Sequence, residues 1–304
     1  MTNDMLVTRI KELKAKKKAV ILAHYYQPLE IQLIADIVGD SLELARKCKD
    51  TDAEVLVFCG VSFMGESAAI ICPDKKVLLP APKAGCYMAD RITPEEVREL
   101  KAAHPESAVV CYINSTAATK AECDICCTSS NAVKVVSSLK ENSIIFVPDK
   151  NLGAYVAKHL PEKTFHFHDR GCCPIHDELS VDSILKVKAE HPDAKILVHP
   201  ECSQSVCGIA DFLGSTAQIL DYCKNSDDNE FIICTELGIT ERMAMLMPDK
   251  KFYVPDSKQL YCDSMKKISL EMIANTLENM TGEVFIDKNM REAALKPIER
   301  MLNV

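Results

Sequence analysis

Apolar runs of four to six residues, rich in Val, Ile, Leu and Phe, alternate along the chain with longer segments of helical periodicity. Runs this short with β-branched residues predict strands, the longer segments predict amphipathic helices, and the alternation predicts β-α units around parallel sheets. The pattern also repeats. Val20-Ile21-Leu22-Ala23-His24-Tyr25-Tyr26 aligns with Val109-Val110-Cys111-Tyr112-Ile113-Asn114 and with Ile196-Leu197-Val198-His199-Pro200-Glu201, with His24, Tyr112 and His199 spaced by 88 and 87 residues.

Other elements keep the same order. Gly39-Asp40-Ser41-Leu42, Thr128-Ser129-Ser130-Asn131 and Gly214-Ser215-Thr216-Ala217 each open a helical stretch. A second strand follows at Glu54-Val55-Leu56-Val57-Phe58, Ser143-Ile144-Ile145-Phe146-Val147 and Glu230-Phe231-Ile232-Ile233-Cys234, and a third at Lys76, Lys163 and Lys251. Just after the third strand each repeat delivers a cysteine, namely Cys86, Cys173 and Cys262, at spacings of 87 and 89. The expected fold is α/β, with three pseudo-threefold-related β-α repeat domains, each a parallel sheet flanked by helices, around a central active site. Boundaries are expected at 1–85 together with 264–304, at 86–172 and at 173–263. The segment Ile273 to Val304 reads as helices that pack back on the first domain.

Composition narrows the function. A net charge of −8 and the lack of aromatic-basic clusters argue against nucleic acid, and the run Lys14, Lys16, Lys17, Lys18 reads as the solvated end of a first helix. No apolar stretch reaches the ~18 residues of a membrane span, so a soluble, cytoplasmic protein without a membrane partner is expected. Fifteen cysteines are many for such a chain. Disulfides are disfavoured in a reducing compartment, so some thiols should ligate metal and others pack as small hydrophobes. Cys48, Cys59, Cys72, Cys111, Cys223 and Cys234 lie in or beside apolar runs and read as packing residues. Cys123, Cys126 and Cys127, like Cys202 and Cys207, do not recur between repeats, and the first three read as an accessory group or as having no chemical role.

Parallel β-α sheets present their working loops at the carboxyl ends of their strands. Three such sheets about one axis would aim Cys86, Cys173 and Cys262 at one crevice. Three thiolates leave a cluster or a zinc ion one open position, which suits catalysis. The helix starts at Ser41, Ser129, Ser130, Ser215 and Thr216 can cap their helices and can also offer N–H donors to phosphate and carboxylate groups. Residues two apart on a strand share a face, so His24 with Tyr26, Tyr112 with Asn114, and His199 with Glu201 can each present a pair suited to proton transfer, with His176 nearby. His104, His166, His168 and His191 read as surface or supporting residues. A non-catalytic iron–sulfur sensor remains a rival reading, but one with no use for three anion-binding helix starts.

Several segments together resemble the quinolinate synthase family: Ala23-His24-Tyr25-Tyr26-Gln27, Gly39-Asp40-Ser41-Leu42, Cys111-Tyr112-Ile113-Asn114-Ser115, Thr128-Ser129-Ser130-Asn131-Ala132, Pro148-Asp149-Lys150-Asn151-Leu152-Gly153, Cys173-Pro174-Ile175-His176, His199-Pro200-Glu201-Cys202 and Gly214-Ser215-Thr216. The resemblance implies condensation of iminoaspartate with dihydroxyacetone phosphate to quinolinate, with loss of phosphate and water, in NAD biosynthesis. It implies a 4Fe-4S cluster on Cys86, Cys173 and Cys262, and an L-aspartate-oxidising enzyme as the source of iminoaspartate. It places substrate contacts or proton transfer on His24, Tyr26, Ser41, Tyr112, Asn114, Ser129, His176, His199, Glu201, Ser215 and Thr216. Some members carry the last ligand in a denser group of cysteines. Here Cys262 stands alone, so redox control through such a group is not expected.

Overall fold

Val, Ile and Leu buried on both faces make each predicted run a strand of a parallel sheet. In a computed structural model, which describes residues 2–304, three separate four-stranded sheets result. The first contains β1 (Ala19–His24), β2 (Ile37–Gly39), β3 (Val55–Cys59) and β4 (Lys76–Leu78) in the order β2-β1-β3-β4. The second contains β5 (Ala108–Tyr112), β6 (Ile125–Cys127), β7 (Ser143–Val147) and β8 (Thr164–Phe167), ordered β6-β5-β7-β8. The third contains β9 (Lys195–Val198), β10 (Phe212–Leu213), β11 (Glu230–Cys234) and β12 (Lys251–Tyr253), ordered β10-β9-β11-β12. Every strand pair is parallel. The three-repeat α/β architecture is thus the one the chain pattern predicts. The edge strands β2, β6 and β10 are additions, since two or three residues give no alternation to read.

The repeats share local devices as well as topology. Asp36, Asp124 and Asp211 each turn a carboxylate back to the N–H of the central strand, bonding Ile21, Val109 and Ile196 at 2.8 Å in every case. Lys75, Lys163 and Lys250 each place an ammonium on main-chain carbonyls at the end of the helix that leads into β3, β7 or β11, among them Cys48, Leu139 and Cys223. A cation there satisfies carbonyls that have no partner within the helix and complements its dipole.

A third device joins the repeats. Asp40 caps helix Ser41–Asp50 through the N–H groups of Leu42 and Glu43, at 3.0 Å each. Its other oxygen accepts the hydroxyls of Ser130 at 2.6 Å and Ser215 at 3.3 Å. One carboxylate thereby ties the helix starts of all three repeats together.

The first two sheets share one continuous core, whereas the third packs two separate clusters, one of which takes in Tyr25 from the first repeat. The C-terminal segment departs from expectation. Helix Leu270–Asn279 packs on helix Asn3–Lys17, but helix Lys288–Leu302 lies across helix Ala117–Ala121 and β6, with Arg300 donating to the Asp124 carbonyl at 2.6 Å. The segment therefore bridges the first and second repeats instead of packing back on the first alone. No helix among the described residues is long and apolar enough to cross a membrane.

Candidate active site

The carboxyl ends of the three sheets enclose a cavity of about 230 Å³. Its wall carries Cys86, Cys173 and Cys262, the strand-end residues His24, Tyr26, Tyr112, Asn114, His199 and Glu201, and Ser41, Ser129, Thr216 and His176. Every candidate site residue of the sequence is there except two, Ser130, whose hydroxyl donates to Asp40, and Ser215. The Ser215 side chain is fully buried behind the wall, capping helix Thr216–Asn225 and bonding Ser130 and Asp40. A capping hydroxyl and a ligand-binding hydroxyl look alike in sequence, and here the neighbouring Thr216 is the one on the cavity wall.

Cys86, Cys173 and Cys262 share one backbone setting. Each follows the last strand of its sheet, and each main-chain carbonyl accepts the N–H four residues on, from Asp90 at 3.0 Å, Asp177 at 2.8 Å and Lys266 at 3.1 Å. The thiol thus sits at the opening of a short turn, in a loop rather than a strand. The Cys173 loop reaches its place only because Gly171 lacks a side chain: a Cβ there would lie 1.5 Å from the Pro148 carbonyl oxygen.

Of the fifteen cysteines, eleven are buried and four are partly exposed. Three of those four are the cavity thiols; the fourth, Cys172, is not on the wall. Burial pushes the Cys86 thiol up to about 12, and Cys173 and Cys262 are raised by the same cause, with neighbouring thiols and carboxylates adding to it. Among the described residues, the one set of three metal-ligating side chains whose donor atoms all lie within 4.8 Å of one another is Cys173, His176 and Glu201. The three thiols are therefore spread more widely than the ligands of a single small ion. The donor set, soft sulfur from three sides with a carboxylate and an imidazole beside it, fits a polynuclear iron–sulfur group.

Glu201 is the hub of the polar wall. Tyr112 donates its hydroxyl to Oε1 at 2.5 Å, and His176 Nδ1 lies 2.8 Å from Oε2. Burial acts to raise this carboxyl, but the charge and hydrogen bond of His176, with lesser help from His199 and Tyr112, outweigh it and hold it below the usual carboxylate range. His24 Nδ1 accepts the N–H of Tyr26 at 3.1 Å, and His199 Nδ1 accepts that of Glu201 at 3.3 Å. These repeat-equivalent bonds fix the tautomer, so both rings offer Nε2–H as a donor. Burial keeps both neutral, with values lowered to about 3. Tyr26 bonds Thr216 at 2.8 Å and Thr235 at 2.7 Å, and burial raises its phenol and that of Tyr112. Asn114 Oδ1 is buried with no partner, so it can accept from a donor on a bound small molecule.

Among the described residues no lysine or arginine lines the cavity, although Asp40, Glu201, Glu236 and Asp263 do. Anionic ligands would rely on hydroxyls, amides, imidazole N–H groups and the charge of any bound metal.

The comparisons agree with this geometry. Residues 8–303 match the family model described as quinolinate synthetase A protein. The chain is 49% identical to the quinolinate synthase of Clostridium kluyveri over 304 residues, which is the whole of both chains. It is 48% identical to quinolinate synthase 2 of Methanosarcina acetivorans over all of this chain and 97% of the relative, and 48% identical to the quinolinate synthase of Aquifex aeolicus over 98% and 94%.

The chain belongs to the quinolinate synthase family.

Family membership leaves the second thiol group without a role. Cys111, Cys123, Cys126 and Cys127 are buried away from the cavity wall in the β5–β6 region, with the wholly enclosed Lys120 beside them. Cys111 Sγ lies 3.0 Å from the Ser115 hydroxyl, and the Cys123 thiol donates to the Thr119 carbonyl at 3.1 Å. The six cysteines assigned to packing are all buried. His104 and His166 stack on each other at 3.5 Å and His191 on Tyr253 at 3.6 Å, whereas His168 is buried beside Glu96.

Three residues near the cavity were not legible from the aligned motifs. Thr235, Glu236 and Lys266 join Tyr26, His176 and the Cys262 loop. Glu236 alone had a positional signal: Val61, Asp149 and Glu236 occupy the same place after β3, β7 and β11, at spacings of 88 and 87.

Proposed function

We propose that this chain makes quinolinate from iminoaspartate and dihydroxyacetone phosphate, with loss of phosphate and water, in a cytoplasmic route to NAD. Cys86, Cys173 and Cys262 would hold a 4Fe-4S cluster. The observation that carries this reading is the convergence of three loop thiols, one from each sheet, on the cavity that also holds the Tyr112–Glu201–His176 network. An L-aspartate-oxidising enzyme is the corresponding source of the unstable imine.

When bound, the cluster supplies a Lewis acid at its open iron. The remaining work falls to side chains. The hydroxyls of Ser41, Ser129 and Thr216 and the amide of Asn114 bind the phosphate and carboxylate groups. His24 and His199, neutral and donating from Nε2, orient substrate oxygens and stabilise charge that develops on them. Glu201 takes a proton from substrate carbon, because its carboxylate stays ionised where the neighbouring phenols stay protonated. Tyr26, held by two threonine hydroxyls, returns protons to departing oxygen. Walls that exclude bulk water keep the imine from hydrolysis.

A second reading places one metal ion on Cys173, His176 and Glu201, whose donor atoms lie within 4.8 Å of one another. Zinc–sulfur bonds of about 2.3 Å suit so tight a set, and that reading leaves Cys86 and Cys262 without a purpose.

Quinolinate formation by the anaerobically purified chain tests the proposal, with Glu201→Gln alongside. The substitution keeps the shape and removes the base, so kcat should fall by about a thousandfold. Absence of quinolinate from a parent protein loaded with iron and sulfide would contradict the proposed reaction.

A further inference from the structure

The end of β11 carries a pair of residues in an unusual position. Thr235 and Glu236 are both fully buried, and Glu236 reaches the cavity wall. Thr235 Oγ1 bonds the Tyr26 hydroxyl at 2.7 Å and His176 Nε2 at 2.8 Å. Glu236 Oε1 lies 2.9 Å from Lys266 Nζ and accepts the N–H of Cys262 at 3.3 Å. Lys266 Nζ, itself nearly buried, donates to the main-chain oxygen of Tyr26 at 2.6 Å. Tyr26 is thus held at its hydroxyl by Thr235 and at its backbone by Lys266, and Glu236, the ion-pair partner of Lys266, also holds the Cys262 loop.

We propose that Thr235, Glu236 and Lys266 form a positioning strut that fixes Tyr26 of the first repeat against the Cys262 loop of the third. The function of the strut rests on the reading of Cys262 as a cluster ligand. Two considerations favour positioning over stability. The fold does not require an ion pair at this place, because the first repeat builds the same strand-to-helix connection with Val61. A buried ion pair is also commonly no better than apolar residues of the same volume. What it provides here is directed: the pair bonds main-chain atoms of one tyrosine and one thiol residue, and no water-filled space is needed for either.

The test uses Glu236→Gln combined with Lys266→Met, which removes both charges at nearly constant volume and leaves neither buried alone. In metal-free protein, the alkylation rate of Cys262 is measured against that of Cys86 in the same chain by peptide mass analysis. In reconstituted protein, kcat and KM are measured separately. The strut predicts that the Cys262 rate rises about fivefold relative to Cys86, and that kcat falls about tenfold while KM stays within about twofold. An unchanged alkylation ratio with kcat within twofold of the parent overturns the proposal. Should the double variant not fold, Glu236→Asp keeps the charge and shortens the arm, and the same rise in the Cys262 ratio is expected; its absence again overturns the strut. A parent chain that takes up no iron contradicts the cluster reading instead, and the alkylation ratio then decides the strut by itself.

Discussion

Two groups of thiols in this molecule differ in nearly every physical respect. Cys86, Cys173 and Cys262 come from three repeats, sit in loops at the openings of short turns, and share a cavity wall. Cys111, Cys123 and Cys126 come from one repeat and are sealed in its core, Cys111 beside the Ser115 hydroxyl and Cys123 bonded to the Thr119 carbonyl. The second group is closer in sequence and looks more like a metal motif. The comparison teaches that dispersion with matched spacing across repeats marks a site better than local density does, because repeats converge at strand ends and a tight sequence cluster need not face any cavity.

The sharpest way to break the comparison, after Glu201→Gln, is to move one loop. Gly171→Ala forces a Cβ into the Pro148 carbonyl, so the Cys173 loop must shift or the fold must weaken, at a cost of about 2–4 kcal/mol. Urea unfolding measures the loss, and a change below about 0.5 kcal/mol would show that the loop is not seated on that backbone. The analogous change at Gly208 meets nothing closer than 3.3 Å and should be mild.

Acid should reveal how dry the cavity wall is. His24 and His199 are held by burial at about 3, against an ordinary value of 6.5. Between those values the unfolded chain binds protons that the folded chain refuses. Stability is therefore intact above pH 6.5 and falls as pH drops toward 3, by about 1.4 kcal/mol per pH unit for each fully resolved imidazole. Glu201, held low by its partners, adds to the loss in the same direction below its unfolded value. Urea midpoints from pH 7 to 5 should decline, and His24→Gln should flatten the decline. A flat profile in the parent would mean that the imidazoles are hydrated.

The smallest effect belongs to the enclosed thiols. Cys126→Ala leaves a small cavity in a rigid core and should cost about 1 kcal/mol while leaving metal content unchanged. Metal loss in that variant would erase the distinction between the two groups.

Much of this was readable before any coordinates. Repeated β-α periodicity gave three sheets, because parallel strands buried on both faces leave long apolar runs. Spacing gave the cavity, because matched positions in matched repeats point at a common axis. Other features lay beyond that logic. β2, β6 and β10 are too short to show a period. Ser215 and Thr216 are adjacent hydroxyls of which only one faces the cavity, and nothing in composition separates them. The amphipathic pattern of helix Lys288–Leu302 states that one face is buried but not against which sheet. Lys266 acts across the molecule on Tyr26, a contact set by tertiary packing alone.

The central claim is that three thiols from three repeats hold one iron–sulfur group, and iron and acid-labile sulfide analysis after anaerobic purification tests it most directly. The parent chain should carry about four irons and four sulfides, and Cys86→Ala, Cys173→Ala and Cys262→Ala should each lose them while Cys126→Ala keeps them. Zinc in place of iron, or full iron in any one of the three cavity variants, would contradict it.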